Sequence, residues 1–438
     1  MMQSDKNALT KFFPQLFLIL VGLVSYLPSQ AQPTPVDTVS LSMKEVEGLF
    51  FKNSLQIIAQ RYNINIAQAQ VITARLFLNP QFSATTGLFN TDNRRFLDVS
   101  NATGEQSGSL SQEFYTAGRR KKGVDLAQSG VQQAKYQFLD VIRNLEYSLR
   151  SNFYTISYQL KSAKVYDLEI SSLTEILSGY KTQYAKGNIA QKELLRVQSQ
   201  LYSLQVEFAN LQAGIDTTET RLRVLTRSGP NSYILPRFKY DIAGKETVSK
   251  IPYKQLLDSA YVNRYDYRYA QGATSFNKLN LELQKALAVP DITLSLNYDK
   301  FGSYIRNYNG VGIGLPIPIF NRNQGVIQQA RIAVVQSDVI LSSAQQRIEN
   351  DIFTNYKIAL RFENVYNTFD STFSNDYTKL IQEVSKNYAK RNISLLSFLD
   401  FYESYRINSI LLNNIELNRI LSLEQMNLVT GTQFFNQK

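Results

Sequence analysis

The side chains that most often do chemistry are scarce in this chain. Its 438 residues contain no cysteine and no histidine. That excludes a thiolate nucleophile, disulfides and zinc–thiolate sites, together with the commonest general base and metal ligand. Carboxylates remain, paired in sequence as Asp140 with Glu146 and Glu349 with Asp351. Two acids can share acid–base work when their surroundings push their pKa values apart. These four fall inside long polar helix-like tracts, and no GxSxG turn, phosphate loop or dinucleotide fingerprint accompanies them. They read as surface charge. Only Met43 and Met426 follow the first 31 residues, so no soft-metal site is expected. The chain is expected to be no enzyme and to hold no cofactor or resident metal.

Charge offers a second kind of chemistry. Lys and Arg outnumber Asp and Glu by 47 to 36, a net charge of +11. A basic chain suits an anionic partner, nucleic acid or lipid. No Lys/Arg block is interleaved with aromatic residues, so nucleic acid is not expected. The densest cluster, Arg119-Arg120-Lys121-Lys122, follows a strand-like segment and suggests an anchor at a membrane boundary.

The elements that must carry these residues are organised around a repeated phrase. Tyr184-Ala185-Lys186-Gly187-Asn188-Ile189 returns as Tyr388-Ala389-Lys390-Arg391-Asn392-Ile393, 204 residues later. Each copy lies inside a long proline-free tract and is followed by a helix-like run. Gly and Asn tolerate the left-handed backbone that a tight turn needs, so each phrase reads as the bend of a helical hairpin. Two hairpins at a fixed offset indicate an internal duplication.

Lys6 and Lys11 precede an apolar run from Phe12 to Leu27, and Ser29-Gln30-Ala31 gives a small-x-small site. Residues 1–31 therefore read as a signal peptide. With no cysteine at the cleavage point, the exported chain is not lipidated at its N-terminus. Gln32 to Val39 reads as extended. A helical period then runs from Ser40 to about Leu78, with Ser42 and Glu45 spaced as a capping box. Asn79-Pro80 ends it, because the residue before proline is driven toward extended geometry.

From there the period changes to two. Phe82, Ala84, Thr86 and Leu88 alternate with polar or small residues, as do Ile292, Leu294, Leu296 and Tyr298 and then Val311, Ile313, Leu315, Ile317 and Ile319. Strands are expected at about 80–89, 106–115, 290–299 and 310–320. About ten residues with one apolar face suit a soluble sandwich or, behind a signal peptide, a transmembrane β-barrel. Pro316 and Pro318 belong at a rim or an edge, where a missing ladder donor is tolerated.

Neither Gly nor Pro occurs from Val326 to Thr430. That tract reads as helix bent once, at the repeated phrase. Its early seam, Ile327, Ala330, Val334, Ser337, Leu341, Ala344 and Ile348, has the 3.5-residue spacing of coiled-coil packing. A helix from Gly325 to Tyr388 would span roughly 95 Å. Such polar helices must project into water. The expected layout is a signal peptide (1–31), a first repeat (32–227, hairpin about 119–227), a connector (228–252) with a strand near Ser232 to Leu235, and a second repeat (253–438, hairpin about 322–430). The second repeat opens on a helix from Tyr253 to Ala288.

As an ordered set these features resemble the outer membrane efflux protein family, the TolC-like channels, over essentially the whole exported chain. The likeness is carried by the duplicated bend and by the strand-to-helix passage Leu315-Pro316-Ile317-Pro318-Ile319-Phe320-Asn321-Arg322-Asn323-Gln324-Gly325. Phe114-Tyr115-Thr116-Ala117-Gly118-Arg119-Arg120 is its counterpart. The resemblance implies a mainly α protein with a transmembrane β-barrel: a homotrimer whose protomers each give four strands to a twelve-stranded barrel in outer-membrane lipid. A long periplasmic α-helical barrel would dock on a periplasmic adaptor protein. The adaptor would couple it to an inner-membrane pump of the resistance-nodulation-division class.

The implied function is the outer-membrane exit duct of a tripartite efflux system. A type I protein-secretion conduit shares the fold and differs in partners. A non-channel periplasmic coiled-coil spacer would leave the strand alternation unexplained. The resemblance assigns adaptor docking to Gly187, Asn188, Ile189 and Ala190 and to Arg391, Asn392, Ile393 and Ser394. Arg391 stands where the family often has glycine. It also assigns the tunnel constriction to Asp400, with Glu193 as the equivalent acid of the first hairpin. Ser397 stands where relatives carry a second acid, which thins the ring. The cargo, whether metal ion, drug or polypeptide, is not legible.

Overall fold

The computed structural model describes residues 37–238, 247–301, 305–369 and 373–436; the expected signal peptide lies outside them. Strand β1 (Asp37–Leu41) leads into helices α1 (Met43–Asn53) and α2 (Leu55–Arg75). Next come β2 (Gln81–Thr86), a small hairpin of β3 (Phe89–Asn90) and β4 (Arg95–Phe96), and β5 (Gln106–Phe114). The first hairpin pairs α3 (Arg119–Ala185) with α4 (Gln191–Thr226), and β6 (Ser232–Pro236) follows. The same order returns in α5 (Tyr253–Asn263), α6 (Tyr265–Ala286), β7 (Ile292–Asp299) and β8 (Tyr308–Gly314). The chain ends with α7 (Gln324–Thr368), α8 (Phe373–Ala389) and α9 (Leu395–Thr430).

Three expectations about continuity need correction. The opening helix of each copy is two helices, an 11-residue piece followed by one of 21 or 22 residues. The breaks fall at Ser54 (ψ 117°) and Arg264 (ψ 120°), each after an asparagine, a residue that competes for backbone hydrogen bonds and favours helix ends. The second break is also where the chain's last helix arrives. Gly431, at φ +71°, lies so close to Asn263 that a Cβ would meet its carbonyl at 2.8–2.9 Å.

The second hairpin bends twice. Besides the repeated phrase, the helix stops at Phe369, whose φ and ψ are −80° and 134°. Thr368 Oγ1 donates to the carbonyl of Val365 at 2.7 Å, a local bond that competes with continuing the helix. The expected 95 Å rod is therefore a 45-residue helix and a 17-residue helix. In the first hairpin α3 runs unbroken for 67 residues, about 100 Å at 1.5 Å per residue.

The last strand is also shorter than its alternation. It occupies Tyr308–Gly314 instead of 310–320, and the Pro316-Ile317-Pro318 segment lies beyond its end, since neither proline can donate to a ladder. The first strand likewise ends at Thr86.

One antiparallel sheet has the order β2-β5-β7-β8. All four of its strands enter or leave the helices at the same end, through residues 76–80, 115–118, 287–291 and 315–323. Strand β1 pairs in parallel with β6 elsewhere. Three apolar clusters hold the helical body. One gathers Phe50, Leu149, Phe153, Leu222 and Ile234; a second, toward the bends, gathers Leu173, Val197, Leu204, Phe398 and Tyr402. The third gathers Val248, Leu256, Ile352, Met426 and Phe435. Within the expected seam, Ala330, Ser337 and Ile348 are buried. Their small size or apolar surface lets α7 lie close to its neighbours.

Candidate functional site: an amphipathic sheet and two paired turns

The register of the sheet separates two chemistries. Phe82, Leu110, Leu296 and Val311 stand opposite one another across the four strands, and all are exposed, Phe82 at 75% and Val311 at 79%. On the other face Ser83, Ser109, Asn297 and Gly310 form the matching row, with Ser83 and Ser109 hydroxyls 2.8 Å apart. A face of Phe, Leu and Val left in water carries a large unfavourable hydration term, and in lipid it does not. Strands β2 and β8 each have a partner on one side only. Their unpaired N–H and C=O groups could not remain so in hydrocarbon. No helix of the described residues is long and apolar enough to cross a membrane.

At the far end of the helices the two repeated phrases come together. In the first, the amide of Gly187 donates to Tyr184 O at 2.9 Å and that of Asn188 to Gln183 O at 2.9 Å. In the second, Arg391 N donates to Tyr388 O at 2.8 Å and Asn392 N to Asn387 O at 2.9 Å. This pair of bonds closes a helix with a left-handed residue after it, and Gly187 and Arg391 indeed have φ of +74° and +62°. The side-chain amides repeat the pattern: Asn188 Nδ2 donates to Gln183 Oε1 (2.7 Å) and Asn392 Nδ2 to Asn387 Oδ1 (3.1 Å). Ser394 caps α9, accepting from Ser397 N at 3.1 Å; Ala190 has no side chain with which to do the same.

The turns share one cleft of about 640 Å³, lined by Tyr180, Gln183, Asn188, Ile189, Arg391 and Ile393. Aromatic side chains zip the hairpins just above it. The Tyr388 hydroxyl lies 3.1 Å from that of Tyr180, and the Tyr388 and Phe398 rings are 4.5 Å apart. Burial and the Tyr180 bond raise the Tyr388 phenol pKa, with the Glu193 charge adding to it. Glu193 is thus half-buried against the second hairpin. Asp400 is exposed, on the opposite side of α9 from buried Phe398, Leu399 and Tyr402. Asp400 makes no ion pair among the described residues, and no bond joins it to Glu193.

Residues 49–226 match the family model described as outer membrane efflux protein. Over those residues the chain is similar to that family. Cobalt-zinc-cadmium resistance protein CzcC of Cupriavidus metallidurans is 18% identical over 329 residues, 72% of this chain and 75% of that protein. The fold is that of solved outer-membrane channels. The Campylobacter jejuni CmeC outer membrane channel superposes with a TM-score of 0.69 at 14% identity, covering 90% of this chain and 87% of that one. VceC, an outer membrane protein of Vibrio cholerae, gives 0.68 at 16% identity, covering 90% and 96%. Outer membrane efflux proteins are trimeric channels that work with adaptor and pump partners, and they are not enzymes. The exposed face of the sheet is suited to lipid and the polar helical body to water.

Of the four acids read as surface charge, three are held by a neighbouring side chain. Asp140 pairs with Arg143 at 2.5 Å and Asp351 with Arg264 at 2.8 Å, while Glu349 accepts from the Tyr261 hydroxyl at 2.8 Å. Glu146 differs from the surface charge expected of it. It is half-buried, and burial, with Glu47 nearby, raises its pKa.

Two buried charge networks went unnoticed in the sequence: Arg150 with Glu424 and Glu47, and Arg406 with Glu169 and Glu207. The available signal was a charge at a core position. Arg150 stands between Leu149 and Phe153, and Arg406 follows Tyr402 and Tyr405.

Arg391 offers a direct test of turn strain. A left-handed non-glycine residue costs about 1 kcal/mol, so Arg391→Gly is expected to stabilise the second hairpin by about that much. Gly187→Ala, where nothing lies within 4 Å of the added Cβ, is expected to cost about 1 kcal/mol through backbone strain alone. Denaturant midpoints of the two variants, read by helical circular dichroism, should move in opposite directions.

Proposed function

We propose that this protein is the outer-membrane exit duct of a tripartite efflux system. The observation that carries the reading is the cross-strand row Phe82, Leu110, Leu296 and Val311 backed by Ser83, Ser109, Asn297 and Gly310, in a sheet with two unpaired edges. Three copies, each giving four strands, would join edge to edge as a twelve-stranded barrel, apolar outside and polar within. The helices would continue it as a periplasmic tunnel. The paired turns at 187–190 and 391–394 would meet a periplasmic adaptor, which links the duct to an inner-membrane pump of the resistance-nodulation-division class. The relative CzcC is a cobalt-zinc-cadmium resistance protein, and that supports divalent metal cations as the first cargo to test.

Asp400, exposed near the turns, would contribute one carboxylate per copy to a threefold ring at the tunnel's narrow end, where like charges favour cations. The test is planar-bilayer conductance of the purified protein in detergent. The expected result is a small, cation-selective conductance from a trimer-sized particle, with lower cation selectivity and larger current after Asp400→Ala. A conductance indifferent to the substitution would remove Asp400 from the constriction and keep the duct. A water-soluble particle with no conductance would leave the periplasmic spacer instead.

A further inference from the structure

The layer where the sheet meets the helices holds a combination that folding alone does not explain. Helix α3, the longest in the chain, opens on Arg119, Arg120, Lys121 and Lys122 and has no acidic residue in its first turn. Cations at a helix N-terminus oppose the macrodipole, which favours negative charge there. Of these four, only Arg119 has an ion pair among the described residues, with Asp291. Arg120 lies over the Phe77 ring at 4.1 Å, Lys121 is exposed, and Arg75 and Arg322 add two exposed cations in the same layer.

Beside these cations lies unusually naked apolar surface. Phe77 is 69% exposed, Ile317 76%, Ile319 64% and Phe320 89%. Pro290, Pro316, Ile317, Pro318, Ile319 and Phe320 line a cleft of about 450 Å³. The cleft and the cations are contiguous: Thr116, three residues before Arg119, donates its hydroxyl to Pro290 O and its amide to Asp291, both at 2.7 Å. Apolar surface on the sheet side and a cluster of cations in excess of nearby carboxylates on the helix side match the two ends of a membrane lipid. The positive charge selects an anionic headgroup, because basic residues at a membrane surface each gain roughly 1 kcal/mol from anionic lipid.

We propose that this boundary layer binds anionic phospholipid of the periplasm-facing leaflet, its phosphate on Arg120, Lys121, Lys122 and Arg322 and an acyl chain against Ile317, Ile319 and Phe320. The proposal rests on the reading that the sheet lies in the membrane. Binding would fix the depth of the barrel and stiffen the passages into α3 and α7.

The test measures lipid retained by the detergent-purified protein in native mass spectrometry, after incubation with equal amounts of phosphatidylglycerol and phosphatidylcholine. Flotation with pure phosphatidylcholine vesicles is measured in parallel. The expected result is retention of phosphatidylglycerol over phosphatidylcholine by about tenfold or more, weakening as salt rises from 0.1 to 0.5 M because exposed charges are screened. Arg120→Gln/Lys121→Gln/Lys122→Gln should abolish the preference while the protein still floats. Phe320→Ser should lower retention of both lipids. Equal retention of the two lipids by wild type, or an unchanged preference in the triple variant, overturns the proposal and leaves the membrane reading standing. Failure of the wild type to float overturns both.

Discussion

Replacing Arg150 with methionine is expected to destabilise the protein by about 3–5 kcal/mol, the cost typical of stranding a buried charge. Arg150 is 5% exposed and Glu424 2%. The guanidinium donates twice to Glu424, Nε to Oε2 and Nη2 to Oε1, both at 2.9 Å, once to Glu47 Oε1 at 2.6 Å and once to Asn436 O at 3.2 Å. Burial works against the arginine's charge, but the Glu424 hydrogen bonds outweigh it and its pKa rises. This one side chain ties α1, α3, α9 and the C-terminal segment together.

Methionine matches the stem of arginine and leaves Glu424 and Glu47 without their cation. Adding Glu424→Gln should recover more than half of the loss, because an uncharged amide in the same place no longer needs a counter-ion. Denaturant titration of the single and double variants gives both numbers. A single-variant loss under 1 kcal/mol would show that Arg150 fills space and does not hold the clamp. The same variant should expose the last residues to protease, since Asn436 also donates to Glu424 at 2.8 Å.

Arg406→Met is expected to cost about 3 kcal/mol at pH 8 and about 1 kcal/mol at pH 5. Arg406, from α9, reaches Glu169 of α3 at 3.1 Å and Glu207 of α4 at 2.5 Å, and Tyr166 donates to Glu207 at 3.3 Å. Glu403, one turn before on α9, also faces Glu169. One buried cation thus serves several carboxylates. Burial, then the neighbouring acids, push the Glu169 pKa up to about 7 against the lowering effect of Arg406.

A carboxyl whose folded pKa is raised stabilises the fold when protonated. That contribution is complete below about 4.5, the group's ordinary value, and is lost as pH rises through about 7, a span worth about 1–3 kcal/mol. At pH 5 Glu169 is already neutral, so removing Arg406 takes away only the half-exposed pairing with Glu207. At pH 8 removal takes away the cation that lowers the Glu169 pKa, so the carboxyl must take up a proton or stay ionised where burial disfavours its charge. Thermal midpoints of wild type and variant at the two pH values supply the comparison. A variant penalty independent of pH would show that Glu169 does not titrate in this range.

Much of this protein was legible in one dimension because its periodicities are long and its punctuation sparse. The duplicated Tyr-Ala-Lys phrase located both turns, since a tight helical bend needs residues that accept positive φ. The absence of Gly and Pro across 326–430 marked the second hairpin. Strand alternation fixed which residues share a face, because side chains on a strand have a period of two whatever they pack against. Even the conflict at Arg391, a bulky residue in a left-handed turn, was visible in the comparison of the two phrases.

The tertiary structure decided what periodicity cannot carry. The helix end at Phe369 comes where Thr368 bonds to the carbonyl of Val365, and a helical pattern of apolar residues gives no sign of it. The breaks at Ser54 and Arg264 depend on what packs into them, in the second case the close approach of Gly431. The end of β8 at Gly314 depends on ladder donors that Pro316 and Pro318 lack, although alternation continues to Ile319. Arg150 and Glu424 are 274 residues apart in sequence, and Arg406 and Glu169 lie 237 apart. A charge reads as solvated until its partner is found, and only folding brings partners that distant within 3.1 Å or less.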